Sequence, residues 1–93
     1  MTDVAKALYQ LMWPSLDWPE GTRYGKVARS NAEIAAERVL SRIGHQEALD
    51  ACHLLATEPS KEEAKLIAGA NTIYGLIDLV VRKGVEHGKN AKD

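Results

Sequence analysis

The sequence predicts an all-α fold: a short N-terminal helix, a long kinked helix, and a third helix packed on it as an antiparallel helical hairpin. Three observations carry that expectation. Apolar residues recur at helical spacing along most of the chain, and no stretch alternates with the two-residue period of a strand. Two capping boxes, Ser30-Asn31-Ala32-Glu33 and Ser60-Lys61-Glu62-Glu63, stand just ahead of apolar runs. The prolines fall between those runs rather than inside them.

The first helix is expected from about Asp3 to Trp13, with Val4, Ala7, Leu8, Leu11 and Met12 on one side. Thr2 can cap it, and Pro14 ends it by pushing the preceding residue out of helical geometry. Pro14 to Gly21 then reads as an ordered connector. Asp17 and Glu20 have capping-box spacing, so a single helical turn can begin at Trp18.

The second helix carries Ile34, Ala35, Ala36, Val39 and Leu40; how far it reaches back through Tyr24, Val27 and Ala28 stays open. Gly44 interrupts it, and Ala48, Leu49, Cys52, Leu55 and Ala56 resume on a shifted face. A kink at Gly44-His45 is expected, because a clean break would leave a very short connection. Pro59 ends this helix. The third is expected from Lys61 to about Lys83, with Gly84 and Gly88 as terminating glycines and residues 88–93 as a frayed polar tail.

At 93 residues the chain is read as one helical domain, 1–93. So small a domain buries a modest share of its surface, and association commonly adds stability; a homo-oligomer is therefore expected. Aromatic residues are 5% with no Phe, so aliphatic side chains and Ala must build the core. Acids and bases are interspersed with a net charge of −1, which sets no long-range field for DNA or an anionic membrane. A DNA-reading third helix would offer only Lys65 and Asn71 before Arg82. One cysteine, a non-secretory N-terminus and no apolar run of about 18 residues make the cytoplasm the expected compartment.

On a helical wheel the third helix has a broad apolar arc from Leu66 to Val81 and an opposite seam of Ala64, Ala68, Asn71, Gly75, Asp78 and Arg82. The spacing of that seam alternates four and three, a heptad pattern. A mid-helix glycine costs stability, which the close approach of another helix at Gly75 would explain. This seam is the expected surface for partner binding or self-association.

Two further sets are candidates for an anion or nucleotide. Arg23, Tyr24, Lys26 and Arg29 lie near Trp13 and Trp18, where cations beside rings can grip a phosphate and stack a base. Ser60 and Lys61 bring a hydroxyl and a cation to a helix N-terminus. His45, Asp50, Cys52 and His53 lack the ligand spacing of a metal site, and no metal, cofactor or catalytic residue is assigned.

The turn Pro59-Ser60-Lys61-Glu62, with Arg82 later on the helix, resembles the hairpin of the small phage proteins that sequester cyclic nucleotide alarm signals. The likeness covers about a third of the chain. The family's Leu-Glu-Glu block is replaced here by Ala68-Gly69-Ala70-Asn71. The resemblance implies a homo-oligomer holding an anionic dinucleotide, with Ser60, Lys61 and either Tyr24 or Lys26 near phosphate or base. The leading expectation is instead a non-enzymatic helical interaction module that docks on or blocks a protein partner, in the manner of a small accessory protein or a phage-type inhibitor. An oligomeric binder that sequesters a cyclic nucleotide signal is the alternative.

Overall fold

Val4, Ala5, Leu8 and Leu11 recur every three or four residues, so a helix through them presents one apolar face to a core. In the computed structural model that helix is α1, Thr2–Met12. Residues 2–19 and 23–92 are described, apart from the side chains of 2, 23, 24 and 89–92. The described residues are helical or irregular, with no strand among them.

Trp13 and Pro14 end α1, and residues 13–19 form the non-helical connector. The helical turn expected at Trp18 is not formed at Asp17, Trp18 or Pro19; the rest of that expectation, Glu20 to Thr22, lies outside the described residues. The next helix, α2, spans Arg23–Leu40. Ser30 therefore lies inside a helix rather than capping one, and the question of the backward reach through Tyr24 is answered.

The expected kink at Gly44 is a break. Arg42 and Ile43 both donate backbone hydrogen bonds to the Val39 carbonyl, and the Ser41 hydroxyl donates to the Arg38 carbonyl. This tight turn brings Ile43 into the core. Gly44 then serves as the extended N-cap of α3, His45–Thr57, with the Glu47 carboxylate accepting from its N–H. Four residues suffice for the connection because the last turn of α2 simply tightens.

Pro59 and the Ser60 cap separate α3 from α4, Lys61–Gly69. The single third helix expected from the sequence is also divided. It stops at Gly69, bends through Ala70 to Thr72, passes through a 3₁₀ turn at Ile73–Leu76, and continues as α5, Ile77–Lys92. Gly84 and Gly88 do not terminate α5, and residues 88–92 continue the helix where a frayed tail is expected.

The core is aliphatic. Val4, Leu8, Val39, Leu55, Leu76 and Val80 are the largest side chains fully removed from water, each contributing about 1.5–3 kcal/mol. Ala32, Ala35 and Ala36 on α2, with Ala48 and Ala51 on α3, are also buried, so neighbouring backbones approach closely. α1 packs on α2 and α3, while α5 packs mainly on α3. α4 is the exception: none of its residues is buried. No helix among the described residues is long and apolar enough to cross a membrane.

Candidate functional site

The loose seating of α4 leaves an open groove of about 470 Å³ between it, the end of α1 and the end of α3. Leu11, Met12 and Trp13 form one wall, Leu55 the base, and Ile67 and Ala68 the other wall. Trp13 remains 37% exposed at the rim, and Leu66 on α4 is 48% exposed. Ile67 and Ala70 rest only partly on the core. The groove is mainly apolar because these stretches of α1 and α4 carry almost no polar side chain on the facing sides.

Trp13 also lines a smaller cavity of about 180 Å³ with Asn31, Asn71 and Tyr74. Tyr74 in turn lines a notch of about 310 Å³ with Arg38, Ser41, Arg42 and Asp78. Neighbouring depressions thus share a lining residue, Trp13 between the groove and the small cavity and Tyr74 between that cavity and the notch. The Tyr74 hydroxyl donates to Asn31 Oδ1 at 3.0 Å, and the Arg38 guanidinium lies 5.1 Å over the Tyr74 ring. Arg42 pairs with Asp78 at 3.3 Å in an exposed contact.

The six residues of the expected seam do not form one stripe. Ala64 and Ala68 face the apolar groove; Asn71 lines the small cavity; Asp78 binds Arg42; Arg82 lies in a separate cavity between α4 and α5. Gly75 is in the 3₁₀ turn, where a Cβ would stand 3.4 Å from Ala70 Cβ of the same chain. The break at Ala70 to Thr72 resets the helical phase, so a heptad drawn through it joins residues on different faces.

In the basic–aromatic connector the rings pack on one another. Tyr9 is buried, with Trp13 at 4.9 Å and Trp18 edge-on at 5.6 Å. The Arg29 guanidinium donates to the Pro19 carbonyl, which ties the connector to α2. Lys26 is exposed, and the side chains of Arg23 and Tyr24 lie outside the described residues.

At the start of α4, Ser60 Oγ accepts from the Glu63 N–H while Glu63 Oε1 accepts from the Ser60 N–H. Lys83 pairs with Glu63 at 3.2 Å. The Ser60 N–H, and then Lys83, hold the Glu63 carboxyl below its usual value. The surrounding cavity of about 300 Å³ carries Glu62, Glu63 and Glu86 against Arg82 and Lys83. Lys61 is exposed beside it.

His45 reaches toward Asp3 at 4.0 Å, Asp50 faces His87 at 3.7 Å, and His53 is exposed. Cys52 is in the core, where burial pushes its thiol up to about 12. The four residues are thus directed to different neighbours.

Sequence reasoning missed Met12, Arg38, Arg42 and Tyr74. The pair Arg38 and Arg42, one turn apart near the end of an amphipathic helix, was the signal available for two of them. Compared with protein-family models, with curated proteins and with solved structures, the chain matches none.

Proposed function

We propose that this protein is a non-enzymatic helical interaction module whose α4 groove receives an amphipathic segment of a protein partner. The observation that carries this reading is α4 itself: an amphipathic helix with no buried residue, whose Ala64, Ile67 and Ala68 border an open groove of about 470 Å³. Uncovered apolar surface of this kind is favourable to cover, and a helix laid into a groove is a common way of doing so. The partner either gains a scaffold or loses the use of the segment it contributes.

Sequestration of a cyclic nucleotide has less support. Ser60 is engaged in its own cap, Arg29 is engaged with Pro19, and the cavity beside Ser60 has three carboxylates to two cations.

Selection from a random dodecapeptide display library on the immobilised protein tests the docking reading. Peptides with apolar residues at helical spacing should be enriched, and they should lose binding to Ala68→Arg. Ala68 is exposed on α4, so this variant should keep its melting temperature. No enrichment, or peptides indifferent to Ala68→Arg, would sink the reading. A rise in melting temperature with a cyclic nucleotide would favour the alternative instead.

A further inference from the structure

The notch lined by Arg38, Arg42, Tyr74 and Asp78 has a charge character the groove lacks. Arg38 and Arg42 lie one helical turn apart close to the end of α2, where the helix dipole favours cations. Arg38 makes no ion pair among the described residues; its guanidinium rests on the Tyr74 ring. Tyr74 is in turn held by Asn31, so the platform beneath Arg38 is fixed. Arg42 has one acidic neighbour, Asp78, and both side chains are largely exposed, at 59% and 85%. Such a pair is weak and open to exchange. With one carboxylate to two guanidinium groups, the notch keeps an excess positive charge.

Building on the docking reading above, we infer that the partner segment carries a carboxylate side chain, Asp or Glu, received by Arg38 and Arg42 while its apolar residues occupy the α4 groove. Trp13 lines both the groove and the small cavity, and Tyr74 both that cavity and the notch, so shared residues link the two features. A guanidinium presents a planar fork of donors matched to a carboxylate. Asp78 remains in the notch and disfavours a more highly charged anion, and the apolar groove calls for side chains that a free anion lacks. The occupant is therefore a peptide segment with separate apolar and acidic anchors.

The same display selection, read for sequence, tests this. Enriched peptides should carry Asp or Glu to one side of the apolar pattern. Their dissociation constants should rise about three- to tenfold with Arg38→Gln plus Arg42→Gln, the effect shrinking in high salt. Both arginines are exposed, and an unchanged melting temperature would show that the double variant is folded. Peptides without acidic enrichment, or indifferent to the arginine changes yet lost with Ala68→Arg, would overturn the acidic anchor and leave the docking reading standing. No enriched peptide at all would overturn both. A concentration-dependent dimer abolished by the arginine changes would assign the notch to a second copy of this chain and overturn the partner assignment.

Discussion

Gly84 of α5 faces Ile43 of the α2–α3 turn so closely that a Cβ on residue 84 would stand 2.6 Å from Ile43 Cδ1. Ala51 Cβ and the Glu47 carbonyl would lie at 3.8 and 3.5 Å, in ordinary contact. The glycine therefore lets α5 cross close to α3, and one methyl group sets the limit.

A double-mutant cycle follows from that relationship. Gly84→Ala alone gains about 1 kcal/mol of helix propensity but must displace the Ile43 methyl, so its net effect should be small or unfavourable. Ile43→Val removes Cδ1 and should cost about 0.5–1.5 kcal/mol on its own. In that background Gly84→Ala should become stabilising. Denaturant titration of the four proteins measures the coupling, and strict additivity would contradict the contact.

The cap of α4 should matter more than its exposure suggests, because α4 has little packing to hold it. Ser60→Ala should cost about 1 kcal/mol. Amide exchange should accelerate along Ala64–Gly69 while Ala51 and Cys52 keep their protection. Equal acceleration throughout the chain would show that α4 is coupled to global unfolding.

Glu63 makes the same region sensitive to acid. Its folded pKa is lowered from the ordinary 4.5, first by the Ser60 N–H and then by Lys83. The folded state thus favours the carboxylate, and the stability it contributes is present above about pH 4.5. That contribution is lost as pH falls through the lower folded value. Glu63→Gln should flatten this part of the pH–stability curve; an unchanged slope would contradict the assignment.

Cys52 should resist alkylation by iodoacetamide at pH 8 in the native protein and react once the chain is unfolded. Burial raises its thiol from 9.0 to about 12, so the folded state favours the protonated form. The associated stability is complete below 9.0 and is lost as pH rises toward about 12. Rapid native-state alkylation would place Cys52 nearer solvent than the core position found here.

Tyr74→Phe removes the hydrogen bond to Asn31 Oδ1 while keeping the ring beneath Arg38. The expected loss is about 0.5–1.5 kcal/mol. Chemical shifts should change around Ile73–Leu76 and Asn31. A variant as stable as the parent would mean that water replaces the bond without cost.

Local chemistry made some of these features legible in advance. Pro14 ends α1, and Ser60 with Glu63 opens α4, because both effects act within one turn of chain. The break after Leu40 was half legible: Gly44 marked it, but only burial of Ile43 explains why a tight turn replaces a kink. The division of the third helix left weaker signs, in Gly69, Asn71 and Thr72, and in an apolar arc too broad for one helix. That arc is two faces in different phases, one on α4 and one on the 3₁₀ turn and α5.

By itself, the sequence determined the helical class, the Ser60 cap of α4, the chain breaks at Pro14 and Pro59, and an aliphatic core short of aromatic residues. Those properties follow from backbone sterics, hydrogen bonding within a few residues and hydrophobic spacing. Only the tertiary structure decided that Gly84 is a crossing point rather than a terminator, that the small-residue seam is dispersed, and that Tyr74 lines one cavity with Trp13 and another with Arg38 and Arg42. Each depends on the phase and direction in which one helix leaves another. That geometry comes from packing between residues distant in sequence, which helical periodicity alone does not specify.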